Sequence, residues 1–97
     1  IRYVAGNRPV RKVALCSGAG GEFLFDAMEK GADAFVTGEV KHHEILAAKE
    51  AGLTLVDGGH FQTEEIAMEP LRGWLSRAFP GIEFFLEENA GDGIRYL

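Results

Sequence analysis

The chain has 97 residues, 46% of them hydrophobic and 26% charged, with a formal net charge of -5 and a pI near 5.1. That is the composition of an ordinary globular protein, long enough for one modest core and too short for two. An acidic chain offers no basic face to phosphates, so nucleic acid is an unfavoured partner, and no apolar run reaches the ~18 residues of a membrane span.

In chain order, Ile1 to Val4 reads as strand-like, and because Ile1 is not an initiator methionine the chain is expected to be a piece of a longer protein. Val10 to Cys16 is a β-branched-rich run that ends in Ser17-Gly18-Ala19-Gly20-Gly21. Glu22 to Lys30 follows with Phe23, Leu24, Ala27 and Met28 at helical spacing, and Gly31 stops it. Ala34 to Thr37 is a second strand closed by Gly38, and His42 to Ala51 a second helix ended by Gly52. Leu53 to Val56 makes a third strand that runs into Asp57-Gly58-Gly59.

The third helical stretch has Thr63 as N-cap candidate, with Glu64 and Glu65 suited to the positive end of the helix dipole. Ile66, Leu71, Trp74, Leu75 and Ala78 form an apolar stripe, in which Trp74 reads as core. Pro70 lies inside the stretch, where it kinks or restarts the helix. After Pro80-Gly81, Ile82 to Leu86 is predicted as a fourth strand. An acidic, glycine-rich tail from Glu87 to Gly93 leads to Ile94–Leu97, a candidate edge strand.

Strands alternating with helices predict an α/β fold in which residues 1–97 form a single unit. The expectation is a three-layer-like arrangement with a mostly parallel sheet of about four strands and about three helices, joined by right-handed crossovers. Parallel strands are buried on both faces, which suits the run Val13-Ala14-Leu15-Cys16. Cys16 then reads as a buried structural thiol, and a single cysteine is compatible with a reducing, cytoplasmic setting.

Ligands in such folds bind at the carboxyl ends of the strands. The loops there are SGAGG, TGEVKHHE and DGGHFQTEE, and they hold all three histidines of the chain. His60 and Glu64 are four apart, one helical turn on one face if the helix begins early enough. Imidazole and carboxylate together suit divalent ions such as zinc, iron or manganese. The spacing alone is equally compatible with an idle pair at a helix start. Gly58 and Gly59, which can deliver His60 to the mouth of the sheet, favour a site, with Asp57 beside it.

The second loop offers Glu39, Lys41, His42 and His43 as further cleft-lining candidates. Adjacent histidines diverge, so His42-His43 is a poor chelating pair, and a plain polar helix start is an equal alternative. The first loop has two glycines of a dinucleotide-binding turn but Phe23 where the third belongs. Glu39 stands where a ribose-binding acid would be expected. A backbone nest that holds an anion, or that approaches a neighbouring chain, is the better reading of these glycines.

Together, the stretch CSGAGGEFLFDAMEKGADAFVTGEVKHHEILAAKEAGLTLVDGGHFQTE resembles the carboxyl-terminal half of the dinuclear metal-centre family. Its members are also called GTP cyclohydrolase I type 2 homologues or NGG-interacting-factor-like proteins. The resemblance extends from about Val10 to Phe85. It implies a protein of two related α/β halves around a cleft with two divalent metal ions per full-length subunit, assembled as a homo-oligomer, commonly a hexamer. The metal ligands that it assigns to this half match His60 and Glu64, in a GH-x-x-TE pattern kept here as GHFQTE. The other ligands, an adjacent histidine pair and an aspartate, belong to the other half, and His42-His43 is not that pair.

Three functions follow as expectations. The first is a metal-dependent hydrolase of a small, nucleotide-like substrate, in which Glu39, Lys41, His42 and His43 contact substrate or move protons. The second is a metal-binding regulatory or interaction protein without turnover. The third is a fragment that folds but is inactive and nearly metal-free alone.

Overall fold

The computed structural model describes residues 1–88, 91, 93 and 94. Its strands are β1 (Arg2–Val4), β2 (Val13–Cys16), β3 (Ala34–Thr37) and β4 (Thr54–Asp57). The helices are α1 (Leu24–Glu29), preceded by a 3-10 turn at Gly21–Phe23, then α2 (His42–Ala51), α3 (His60–Glu65) and α4 (Met68–Ala78). The strands make one sheet in the order β1-β4-β3-β2. β2, β3 and β4 are parallel, and β1 is antiparallel to β4. The expected α/β class and mostly parallel four-stranded sheet are therefore present.

Side chains alternate across a sheet, and the register sorts this one cleanly. Ala14, Phe35, Leu55 and Val4 form one row across all four strands. Phe35 and Leu55 meet Leu24 and Ala27 of α1, Ala48 of α2, and Ala32 and Leu53 in the buried core. Gly52 ends α2 at a φ of 65°, a conformation that favours glycine. The neighbouring row, Leu15, Val36, Val56 and Tyr3, points to the other face. There Leu15 and Tyr3 are 74% and 73% exposed.

Several sequence expectations need correction. Val13-Ala14-Leu15-Cys16 is not buried on both faces, because β2 is an edge strand with Val13 and Leu15 exposed. Cys16 is half-buried rather than buried. The fourth strand is not Ile82 to Leu86, a run without strand structure in which Ile82 and Phe85 are exposed. The open edge of β4 is taken by Arg2–Val4 instead, as the strand-like reading of the first residues allowed. Ile94 is not in a strand, and Arg95 to Leu97 lie outside the described residues, as do Asn89, Ala90 and Asp92 of the tail.

The third helical stretch is two helices. α3 starts at His60 after Gly59, so Thr63 lies inside it and is not its N-cap. The chain turns at Ile66 and Ala67, and α4 restarts with Pro70 as its third residue. A proline in the first turn removes an N–H that has no partner within the helix anyway, which is why the helix restarts there. Trp74 is not core: α4 buries none of its residues, and Trp74 is 59% exposed.

Candidate metal centre

β2, β3 and β4 end side by side at Cys16, Thr37 and Asp57, so the three loops leave from one edge. They are tied together by short backbone contacts. The Gly38 N–H donates to Gly18 O at 2.9 Å, and the Gly58 N–H to Thr37 O at 2.8 Å. The buried Thr37 hydroxyl donates to Gly18 O and accepts from the Gly20 N–H. Thr63 closes the group: its hydroxyl accepts from the Gly18 N–H at 3.0 Å and donates to Gly59 O at 2.8 Å. The amides of Gly18 and Gly20 are thus used within the chain. The first loop packs closely against the other two loops of its own chain, and these two amides do not form an anion nest.

This junction places His60 and Glu64. Because α3 begins at His60, the two residues lie one turn apart on one face, with His60 Nε2 3.4 Å from Glu64 Oε1. On the ring's other side, Nδ1 is 2.9 Å from Glu39 Oε2 in the second loop. The floor of the site is Gly18, whose φ of 65° already disfavours a side chain and whose added Cβ would collide with Glu64 Oε1. Glycine there keeps open the space in which the imidazole and the carboxylate meet.

The hydrogen bond to Glu39, and after it the charge of Glu64, raise the His60 pKa above its ordinary value of 6.5. Both carboxylates favour the charged ring. With a raised folded-state value, His60 contributes stability below about pH 6.5 and loses it as pH rises through that higher value. In the metal-free chain, proton NMR is therefore expected to show His60 titrating above 6.5 and shifting back toward it in Glu39→Ala. A cation must displace the same proton, so metal affinity is expected to rise with pH across this window.

The donor set fits a divalent cation as a partial site. A nitrogen and an oxygen 3.4 Å apart can both reach an ion at the usual ~2.0–2.2 Å. Among the described residues, no group of three or more His, Cys, Asp and Glu side chains forms a cage. This chain thus brings two donors and an accessible, half-exposed face.

The remaining sequence candidates are dispersed. Asp57 is 7% exposed; its carboxylate accepts from the Gly59 N–H at 3.1 Å and pairs with Arg2. It braces the turn that delivers His60. His42 and His43 are exposed at the start of α2, where His43 Nε2 is 3.9 Å from Glu44 Oε1. Lys41 caps α2, and its backbone N–H donates to Glu44 Oε2 at 2.6 Å. Two contributors were not singled out from the sequence as parts of the site. One is Gly38, whose tightness no sequence pattern announces. The other is Thr63, whose position three residues after His60 on the same helix was the available clue.

Comparisons with known proteins identify the family and the fold. A family model described as Duf34/NIF3 (NGG1p interacting factor 3) matches residues 1–90. A Haemophilus influenzae protein named GTP cyclohydrolase 1 type 2 homolog is 38% identical over 74 residues, covering 76% of this chain and 30% of that protein. A Staphylococcus aureus protein of the same name is 36% identical over 80 residues, covering 81% of this chain and 22% of that protein. The chain therefore spans between about a fifth and a third of the curated relatives that it matches. Among solved structures, Staphylococcus aureus protein SA1388 superposes with a TM-score of 0.85 at 32% identity, over 99% of this chain and 33% of that one. A Bacillus cereus protein related to NIF3 gives 0.83 at 28% identity, over 99% and 28%.

Proposed function

This chain belongs to the Duf34/NIF3 family, and from that premise we propose that His60 and Glu64 are its share of a divalent-metal site whose remaining ligands lie outside these residues. The observation that carries the reading is the meeting of His60 Nε2 and Glu64 Oε1, 3.4 Å apart, over a glycine that leaves no side chain between them. Zinc, iron and manganese all suit such a donor pair.

For the whole protein we propose metal-dependent hydrolysis of a small, nucleotide-like substrate, the reaction class suggested by the relatives' shared name. A bound divalent ion would polarise a substrate oxygen and activate a water. His60 and Glu64 would hold it, and Glu39 would steady His60. Lys41, which precedes α2, and His42 and His43, which open it, would contact substrate or move protons.

A second reading concerns the chain alone. With two donors and no third gathered among the described residues, the isolated chain would bind metal weakly and turn nothing over. Metal content and hydrolysis of a nucleotide and phosphoester panel separate these readings when measured on a complete family member that contains this segment. His60→Ala and Glu64→Ala are expected to lower metal stoichiometry and abolish hydrolysis together. Unchanged stoichiometry in both variants removes the site assignment, and metal loss without any turnover in the parent favours a non-enzymatic metal-binding role.

A further inference from the structure

We propose that Glu39 is a positioning residue for His60: it holds the proton on Nδ1, leaves Nε2 as the free donor, and aims that donor at Glu64. The inference rests on the reading of His60 and Glu64 as metal donors and adds the group that selects which imidazole nitrogen binds.

A carboxylate can only accept, so the ring nitrogen within hydrogen-bond distance of one carries the proton. Two carboxylates flank this ring at unequal distances. Nδ1 is 2.9 Å from Glu39 Oε2, whereas Nε2 is 3.4 Å from Glu64 Oε1. The first is an ordinary N–H···O separation and the second is longer than the usual range. The neutral ring therefore keeps its proton on the Glu39 side and turns a lone pair toward Glu64. The partner of a histidine's second nitrogen fixes both its tautomer and its orientation in the same way at metal sites generally.

Glu39 is itself held by its backbone. It follows Gly38, whose amide is bonded to Gly18 O, and a Cβ at Gly21 would lie 2.9 Å from Glu39 O. The side chain thus springs from a loop fixed on both sides, although its carboxylate remains open to solvent. Such a role differs from substrate contact or proton transfer, because it acts before any substrate arrives and depends on His60.

The test is nitrogen-15 NMR of the histidine-labelled chain, recorded above the titration of His60 and then during addition of zinc alone. In the wild type, His60 is expected to be protonated at Nδ1, with zinc shifting Nε2. Glu39→Ala is expected to move the ring to the Nε2-protonated form and to raise the zinc concentration at half-saturation about 10–100-fold. Glu39→Gln, whose amide oxygen still accepts from Nδ1, is expected to keep the wild-type tautomer and recover most of the affinity. A tautomer unchanged in Glu39→Ala, or zinc bound to Nδ1, overturns the proposal. Zinc binding that survives His60→Ala overturns the site reading instead, and the tautomer comparison without metal still decides the role of Glu39.

Discussion

Phe35→Ala is expected to cost about 3–5 kcal/mol, the range for removing a buried aromatic ring. Phe35 is 2% exposed at the centre of the sheet, in the row with Ala14 and Leu55 and beneath Leu24, Ala27 and Ala48. The hydrophobic core cluster gathers on the Phe35 and Leu55 face of the sheet, and a chain of this size commonly has about 5–15 kcal/mol in total. Losing the ring therefore removes much of the folding free energy. Urea unfolding followed by circular dichroism should show the midpoint falling steeply. Leu15→Ala, a truncation on the opposite and exposed face, is the control and should stay within about 0.5 kcal/mol of wild type.

Gly38→Ala is expected to be the most disruptive small change at the site, destabilising by about 1–3 kcal/mol through overpacking. The added Cβ would fall 2.7 Å from Gly59 O and 2.9 Å from Gly18 O, and would also collide with the Thr63 hydroxyl. Two of these obstacles are backbone, so no side-chain rotation relieves them. The three loops must part, and with them the Gly38–Gly18 and Gly18–Thr63 hydrogen bonds that set His60 beside Glu39 and Glu64. Thermal unfolding measures the first effect, and loss of the raised His60 pKa the second. Gly73→Ala, inside α4 with only the Arg77 guanidinium near its added Cβ, should be neutral or slightly stabilising. A Gly38→Ala protein as stable as Gly73→Ala would contradict the tight junction.

Much of this arrangement was legible in the sequence because its punctuation is strong. Glycines at 31, 38 and 52 close elements where they were expected to, and alternation of apolar runs with helical segments led directly to the parallel strands β2, β3 and β4. What was not legible depends on pairing over distance. Arg2–Val4 and Ile82 to Leu86 are both short apolar runs, and only the partner available at the β4 edge decides between them. Trp74 sits on a well-formed amphipathic stripe, but amphipathicity states what a helix could bury and not whether anything covers it. Cys16 is half-buried because β2 is an edge, a property of strand order rather than of local composition.

The site divides in the same way. His60 and Glu64 belong to one helical turn, so their spacing carried their geometry, once α3 was found to begin at His60. Glu39 is 21 residues away from His60 and was named from its loop alone, with a substrate or ribose role in view. Its contact with Nδ1 exists because β3 and β4 are neighbours in register, Thr37 beside Asp57. Asp57 was named for its place next to the glycines, and its side chain turns instead to Arg2 and to the Gly59 amide.

The most direct measurement is diffraction at the zinc absorption edge from crystals of this chain grown with zinc. The expected result is an anomalous peak between His60 Nε2 and Glu64 Oε1, at about 2.0–2.2 Å from each, with Glu39 still on Nδ1. A strongest peak on His42 and His43, or none at the His60–Glu64 pair in zinc-saturated crystals, would contradict the assignment.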